Sequence, residues 1–358
     1  MVIVLTGGGT AGHVLPNVAL LPLLRERGFE KIYYIGSENE GEKAMIEGEK
    51  VPFYPLKCVK FRRNWGIKGM ITNAKIPFGY VKSVRSAKRI LRDLKPDVVF
   101  SKGGFVALPV VRASKKLGVP VIAHESDATM GLANKLSVGA CARVCTTFES
   151  LAKKGGKYVH TGSPIRGKIR AGNAEKVAKT HSFSGKNTRN LLVIGGSLGA
   201  KSINNAVFAA AKDLKFNIIH VCGKGKTPAA QERRSFNEKG NYSAVEFVSD
   251  IENYLAWADV VVSRAGSNML CELMVLGKPT LFIPLSTGRG DQIDNVKEVL
   301  KYDACGVLFE KDLNPETFVR GIEDVYKKRM IYSRNAKDVI KDGNKDIVDT
   351  IYGVVCNK

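Results

Sequence analysis

The sequence contains the same motif twice: a short run of β-branched residues that predicts a strand, then a glycine loop, then a predicted helix. The first copy runs from residues 2–5 into Gly7, Gly8 and Gly9, and the second runs from residues 190–194 into Gly195 and Gly196. Around both copies, short apolar runs alternate with amphipathic stretches, which is typical of strand-helix-strand units in a parallel sheet. We therefore predict an α/β protein built from two similar Rossmann-like domains.

The alternation also predicts where each domain lies. The predicted strands are 2–5, 31–35, 97–101, 120–124 and 143–147, then 190–194, 216–222, 244–248, 259–263 and 279–284. A polar, basic interval at 166–189 separates the two series, and 358 residues exceed what one hydrophobic core usually serves. We place an N-terminal domain at 1–163, a C-terminal domain at 164–331, and a segment at 332–358 whose single helix, 332–355, packs back on the N-terminal domain.

Positive charge is the most unusual feature of the composition. The chain has 56 Lys and Arg against 34 Asp and Glu, a net charge of +22, and residues 50–92 hold twelve of the cations and no acidic residue. Apolar residues are interleaved with these cations, which favours an anionic membrane surface as partner. A solvated helix face and a nucleic-acid footprint remain alternatives, but no nucleic-acid-binding motif accompanies the charge. The predicted membrane-facing residues are Phe61, Trp65, Ile67, Phe78 and Tyr80.

The sequence gives no sign of secretion or of a membrane span. No apolar run reaches the roughly 18–20 residues that cross a bilayer, and Met1 leads into the first strand without a basic leader. The seven cysteines form no CxxC pair, as expected for reduced, mostly buried thiols. We expect a cytoplasmic protein.

Both glycine loops have the pattern of an anion site, in which backbone amides and a helix N-terminus face a phosphate. Gly7, Gly9 and Gly12 fit the dinucleotide fingerprint, but the acidic residue that NAD binding expects after the second strand is only Glu38, which lies late. The loop 195–202 nearly matches a P-loop, with Ala200 where that motif has glycine. A glycine turn needed only for packing is the other interpretation of either loop alone.

Further motifs follow in order along the chain. The opening run 7–14 is followed by 102–106, 124–127, 131–135, 162–166, 195–200, 263–267 with Glu272, and Asp291 and Gln292 with Asn295. This ordered set, spanning 7–295, resembles the MurG family, the N-acetylglucosaminyltransferases of peptidoglycan synthesis. The resemblance implies a GT-B fold, in which two Rossmann-like domains with parallel sheets face each other across a cleft. It also implies inverting transfer of N-acetylglucosamine from UDP-GlcNAc to the 4-hydroxyl of undecaprenyl-diphosphate-linked muramoyl peptide, lipid I.

The resemblance also implies a set of donor-binding residues. Glu272 would accept the ribose hydroxyls, the backbone at Val248 would bond uracil, and Arg166 and Ser197 would hold the diphosphate. The whole implied set is Thr10, Ala11, Gly12, Asp127, Arg166, Ser197, Val248, Ser267, Asn268, Met269, Glu272, Asp291, Gln292 and Asn295. For Glu272, Arg166, Gln292 and Asn295, an ordinary solvent-facing position is the alternative.

Two residues are candidates for the base that takes the acceptor's proton. His13 ends the first glycine loop, and an imidazole with a pKa near 6.5 suits a general base. His13 could instead hydrogen-bond the diphosphate or brace the loop. Glu125, at the end of a predicted strand, is the other candidate base. It could instead brace the loop that follows the strand.

Three positions depart from the family pattern: Ala11 replaces a common Gly, Asp127 replaces the usual Asn, and Asp291 stands where Gln also occurs. The resemblance implies no required cofactor, and the sequence shows no ligand cluster that indicates a divalent cation. The implied partners are UDP-GlcNAc, lipid I and the cytoplasmic face of the cell membrane, where the protein would be peripheral. The alternatives are another lipid glycosyltransferase, such as a diacylglycerol glucosyltransferase, and a non-catalytic basic membrane-binding module.

Overall fold

The computed structural model describes residues 1–9, 11–58, 76–184, 187–196, 199–229, 231–232, 236–237 and 240–357. These residues form two compact units, an N-terminal unit of Met1–Arg166 with Asp342–Lys358, and a C-terminal unit of Gly167–Lys341. The first division falls after residue 166, against the predicted 163, and the second falls after 341, against the predicted 331.

Each unit contains one parallel sheet. The N-terminal unit has seven strands in the order β3-β2-β1-β4-β5-β6-β7, and the C-terminal unit has six in the order β10-β9-β8-β11-β12-β13. The strands are β1 Val2–Thr6, β2 Lys31–Gly36, β3 Phe53–Pro55, β4 Val98–Ser101, β5 Val121–Glu125, β6 Arg143–Thr146, β7 Tyr158–His160, β8 Asn190–Ile194, β9 Asn217–Val221, β10 Tyr242–Val245, β11 Val260–Ser263, β12 Thr280–Phe282 and β13 Gly306–Val307. Both orders are those of a doubly wound sheet, so the prediction of two Rossmann-like domains is confirmed.

Helices connect the strands. They are α1 Ala11–Glu26, α2 Glu40–Glu47, α3 Ile76–Leu94, α4 Ala107–Lys116, α5 Leu132–Ser137, α6 Glu149–Ala152, α7 Ala174–Thr180, α8 Lys201–Ala210, α9 Ile251–Trp257, α10 Ser267–Val275, α11 Asp291–Leu300, α12 Pro315–Lys327, α13 Arg329–Val339 and α14 Asn344–Cys356. Within the described ranges, none of these helices has the length and apolar content needed to cross a membrane.

The N-terminal sheet is buried on both faces, as its continuous apolar strands require. Ile3 and Leu5 of β1 belong to one core cluster, and Val4 between them belongs to a second cluster on the opposite face. Helices cover both faces, so polar groups reach solvent mainly at the strand ends. The carboxyl ends, where each glycine loop follows its strand, are therefore where ligands can bind.

The predicted single helix over 332–355 is wrong, because two helices occupy this region. α13 ends at Val339, and α14 begins at Asn344 after a break. At the break, a Cβ on Gly343 would lie only 2.7 Å from the carbonyl carbon of Gly162, so the chain passes close to another backbone segment. α14 then buries its Ile347 in the core of the N-terminal unit.

The structure adds three short strands that the sequence analysis missed, β3, β7 and β13, and each lies at a sheet edge. It also begins β10 two residues before the predicted 244–248 and ends it at Val245. All seven cysteines are free, and five of them are buried, as expected.

Candidate active site

The first glycine loop lies at the carboxyl end of β1 and packs against a second loop that follows β4. Gly9 and Gly104 both have positive φ angles, of 95° and 84°. A Cβ on Gly104 would lie 2.5 Å from the carbonyl oxygen of Gly8, and a Cβ on Gly9 would lie 2.6 Å from the Phe105 ring. The two loops therefore approach too closely for any residue but glycine.

Glu42 on α2 fixes the first glycine loop by hydrogen bonds. Its buried carboxylate accepts hydrogen bonds from the amide of Gly9 and, at 3.0 Å, from the amide of Ser37. The Gly9 amide therefore already donates to a protein carboxylate, whereas in a dinucleotide-binding loop it would donate to a phosphate. Sequence analysis considered Glu38 and missed Glu42, although Asn39, which caps α2 by accepting from the Glu42 amide, gave the capping signal for that helix.

His13 lies in the first turn of α1, directly after this loop, and its side chain is half-buried. Burial lowers the pKa of His13 to about 4, with a further lowering from the positive charge of Lys102 and an opposing rise from Glu42. The imidazole is therefore neutral at neutral pH, as a general base must be. A neutral ring can accept a proton from a hydroxyl group.

Glu125, the rival base, lies at the end of β5 with both carboxylate oxygens in use. One accepts from the amide of Asp127 at 3.1 Å, and the other accepts from the amide of Gly131 at 2.8 Å and from Nδ2 of Asn134 at 2.9 Å. Burial raises the pKa of Glu125, while these hydrogen bonds oppose the rise. This arrangement is that of a brace for the loop 126–131.

The N-terminal unit also contains several residues of the predicted donor set. Gly12 is exposed on the first turn of α1, Asp127 is half-buried in the braced loop, and Arg166 is half-buried at the end of the segment 162–166. Ala11 begins α1. Thr10 lies outside the described residues.

The C-terminal unit has a cavity of about 570 Å³ at the carboxyl ends of β8 and β11. The second glycine loop lines it with Gly195 and Gly196, and Arg264, Met269 and Gln292 line it from the other side. Its position corresponds to the ligand site of a doubly wound sheet. Ser197, predicted to hold the diphosphate here, lies outside the described residues.

A charged cluster that sequence analysis missed forms one wall of this cavity. Nη2 of Arg264 donates to Oε1 of Glu310 at 2.6 Å and to the Ser202 hydroxyl at 2.9 Å. Glu310 also accepts from the amide and hydroxyl of Ser286. Burial would raise the pKa of Glu310, but the hydrogen bonds from Ser286, Ser202 and Arg264 outweigh it and lower the pKa to about 2. Glu310 is therefore ionised and fixes Arg264 at the cavity wall.

Helix α10 points its first turn at the same cavity. Its N-cap is Gly266, which has no side chain to cap the helix, and the predicted residues Ser267, Asn268 and Met269 form the first turn. Amides at a helix start carry partial positive charge and suit a diphosphate. Glu272 lies one turn later, three residues from Met269, and is only 4% exposed, so it does not face bulk solvent.

Helix α11 supplies the remaining predicted sugar contacts. Gln292 lines the cavity, and its Oε1 accepts from the amide of Leu285 at 2.9 Å. Asn295 is fully buried, and its Nδ2 donates to the carbonyl of Ala265 at 3.3 Å, which supports the turn before α10. Asp291 forms an ion pair with Arg289 at 3.5 Å.

Val248, the predicted uracil contact, follows β10 and is half-buried, whereas the neighbouring Phe247 side chain is 67% exposed. Among the predicted membrane-facing residues, Phe78 is 83% exposed and Tyr80 is half-buried, both on α3. Phe61, Trp65 and Ile67 lie outside the described residues. In the described part of the chain, no group of three or more His, Cys, Asp or Glu side chains could hold a metal ion.

Comparisons with known proteins place this geometry in a family. The model of the glycosyltransferase family 28 N-terminal domain matches residues 3–146, and the model of the family's C-terminal domain matches residues 190–351. A protein from Clostridium tetani is 42% identical over 98% of this chain and 97% of its own length. A protein from Clostridium botulinum strain 657 is 44% identical over 98% of both chains. Both are named UDP-N-acetylglucosamine–N-acetylmuramyl-(pentapeptide) pyrophosphoryl-undecaprenol N-acetylglucosamine transferase.

The chain belongs to the MurG family of glycosyltransferases. The crystal structure of MurG from Acinetobacter baumannii has the same fold, with a TM-score of 0.76 at 23% identity over 99% of this chain and 100% of that chain. The family and the GT-B fold class predicted from the sequence are therefore confirmed.

Proposed function

We propose that this protein transfers N-acetylglucosamine from UDP-GlcNAc to the muramoyl 4-hydroxyl of lipid I in peptidoglycan synthesis. The observation that carries the proposal is the match, over 98% of the chain at 42–44% identity, to relatives named for this reaction. In the reaction the hydroxyl oxygen forms a bond to the anomeric carbon, with inversion, while the bond from that carbon to the UDP oxygen breaks. The acceptor hydroxyl loses its proton, and UDP leaves.

The C-terminal unit holds the donor in this proposal. The diphosphate lies in the 570 Å³ cavity against the amides that begin α10, and Arg264 contributes positive charge at the wall. Fixed amides and a fixed guanidinium stabilise the charge that develops on the leaving UDP. Glu272, buried one turn further along α10, accepts the ribose hydroxyls, and Gln292 contacts the sugar.

The N-terminal unit supplies the base. His13 takes the proton of the acceptor hydroxyl, because it is the half-buried imidazole of the first glycine loop and is held neutral there. Glu125 acts as the brace of the loop 126–131, since its oxygens are already hydrogen-bonded. The roles of Thr10, Ser197, Arg166 and Asp127 stay predictions, as does the expectation that no cofactor is required.

We further propose that α3 lies against the cytoplasmic face of the membrane, as part of a peripheral membrane protein. Phe78 and Val81 on α3 are exposed, as are Leu132 and Leu136 on α5. Arg112 of α4 joins these helices, because its guanidinium bonds Tyr80 and the carbonyl of Leu136. The α3 cations are Lys82, Arg85, Lys88, Arg89 and Arg92. Apolar side chains beside cations suit anionic lipid.

Sedimentation with phosphatidylglycerol vesicles tests this surface. The double substitution Phe78→Ser and Val81→Ser should weaken binding about tenfold or more, because it removes apolar area from the acyl boundary. Turnover of a water-soluble acceptor should be retained. Met45→Ser is the matched control, since Met45 is an exposed apolar residue of α2 outside this surface. Unchanged vesicle binding by the double variant would contradict the proposed orientation.

An acceptor panel tests the reaction itself. With UDP-GlcNAc as donor, the protein should glycosylate a lipid I analogue and leave diacylglycerol unmodified. Activity on diacylglycerol with none on lipid I would support the alternative lipid glycosyltransferase. Salt-sensitive vesicle binding without any UDP release would indicate a non-catalytic membrane-binding module.

A further inference from the structure

Lys102 carries a buried ammonium group that has no role in the proposed reaction. It follows β4 at the carboxyl edge of the N-terminal sheet and is only 4% exposed. Lysine is almost never buried unless its charge is paired or hydrogen-bonded, because removal from water is costly. The groups around Lys102 must therefore compensate its burial.

The partners of Lys102 come from β5 and the loop after it. Its Nζ lies 2.7 Å from Nδ1 of His124 and 2.5 Å from the hydroxyl of Ser126. On the other side of the His124 ring, Nε2 lies 2.9 Å from the carbonyl oxygen of Gly162. A carbonyl only accepts, so Nε2 carries the proton and Nδ1 accepts from Lys102. The pKa of His124 is well below its usual value because of burial and then Lys102, so the ring is neutral.

Lys102 is also a neighbour of His13. A Cβ built on Gly7 would lie 3.2 Å from Cβ of Lys102 and 3.3 Å from Cβ of His13, so both side chains begin close to this glycine. Two other titratable groups bond this loop, Glu42 on α2 and Tyr34 on β2. His124 on β5 bonds Lys102. Burial raises the pKa of Tyr34, so its hydroxyl stays protonated, and His124 is neutral. The charges that act on His13 are therefore Lys102 and Glu42.

We propose that Lys102 is a positioning residue for the transfer reaction, which fixes the His124 ring and the Ser126 loop and places a positive charge beside His13. This inference rests on the proposed function, in which His13 is the base. In this role Lys102 acts through the groups that it orders, His124 and Ser126. Its charge favours the proton-accepting form of His13, while Glu42 fixes the loop from the opposite side.

The pH profile of kcat/KM for the acceptor separates this role from simple packing. In the unmodified protein, activity should persist well below pH 6.5, because the pKa of His13 is about 4. In Lys102→Met, a near-isosteric neutral variant, the acid limb should move upward by about one pH unit, since a like charge no longer opposes protonation. Lys102→Arg should keep the original limb, because it retains the charge.

Lys116→Met is the matched control. Lys116 is an exposed lysine at the end of α4, so this substitution removes the same charge from the same unit without touching the site. The acid limb of its pH profile should coincide with that of the unmodified protein. If Lys102→Met does not fold, Lys102→Gln removes the charge while keeping a hydrogen-bonding group towards His124, and the same upward movement is expected.

Failure of the Lys102 role and failure of the proposed function give different results. Transfer by the unmodified protein together with an unmoved acid limb in the folded neutral variants would refute the role of Lys102 alone. An equal limb shift in Lys116→Met would also refute it, because the effect would then come from net charge. Absence of any transfer by the unmodified protein would refute the proposed function, and this role with it.

Discussion

At the residue scale, burial lowers the pKa of four histidines, His13, His124, His181 and His220. The pKa of His13 is lowered to about 4 and that of His220 to about 3, and the pKa of His124 is well below its usual value. His220 bonds the hydroxyl of Tyr242 and Oδ1 of Asn204, each at 3.0 Å. In the unfolded chain each imidazole regains a pKa near 6.5. The unfolded state therefore binds more protons between pH 6.5 and the folded-state values.

This difference predicts a loss of stability in acid. A stabilising contribution is fully present above pH 6.5 and is lost as the pH falls below it, by up to about 1.4 kcal/mol per pH unit for each histidine. Urea unfolding at pH 8, 6 and 5 should show a falling midpoint. The slope should become shallower in His220→Gln, because this variant removes one of the buried imidazoles. An equal midpoint at pH 8 and pH 5 would contradict the assignment.

Glu272 provides a second test at this scale. Glu272 is buried on α10, three residues after the cavity-lining Met269, and is assigned to the ribose. Glu272→Gln should therefore raise the KM for UDP-GlcNAc by about tenfold or more, the cost of a hydrogen bond to a charged group. The acceptor KM should change little. Glu316→Gln on α12 is the control, since Glu316 is exposed in the same unit. Donor kinetics unaltered by Glu272→Gln would remove this residue from the site.

Several residues of the site could be predicted from the sequence, and others could not. His13 follows the first glycine loop, which is recognisable by its spacing, whereas Glu272 and the start of α10 were implied by the ordered motifs that resemble the MurG family. Glu42 and Glu310 contact groups that lie 33 and 46 residues away in sequence, at Gly9 and Arg264. No local pattern encodes such pairs, because folding alone brings them together.

At the scale of elements, central strands could be predicted and edge strands could not. β1, β4 and β8 are continuous apolar runs, because helices cover both of their faces. β3, β7 and β13 have two or three residues each and are only partly buried, so their sequences carry little apolar signal. The break between α13 and α14 contains Asp342 and Gly343, a turn-forming pair that the sequence analysis missed.

The contact between the two N-terminal glycine loops can be tested by adding a single methyl group. Gly104→Ala should destabilise the unit by several kcal/mol and abolish transfer, because its Cβ would lie 2.5 Å from a backbone oxygen of Gly8. Gly118→Ala is the control. Gly118 also has a positive φ, of 72°, but no atom lies within 4 Å of its added Cβ, so only the conformational cost of about 1–2 kcal/mol applies. Equal losses of stability in the two variants would show that the loop contact is unimportant.

At the scale of the whole molecule, a net charge of +22 coexists with an enzyme of two repeated units. The repeat was visible in the sequence because each unit begins with the same strand and glycine loop. The charge predicts that binding to phosphatidylglycerol vesicles weakens steeply as salt rises from about 0.05 to 0.5 M, because the Debye length shortens. Sedimentation across this range checks the prediction, and salt-independent binding would contradict an electrostatic attachment.

The central claim is that the protein moves N-acetylglucosamine from a uridine nucleotide to a lipid-linked muramoyl peptide. The most direct measurement is UDP release from UDP-GlcNAc, UDP-glucose and UDP-N-acetylgalactosamine, each with and without a lipid I analogue. The account predicts fast release only from UDP-GlcNAc and only when the analogue is present. Release from none of the three donors, or release that ignores the analogue, would contradict it.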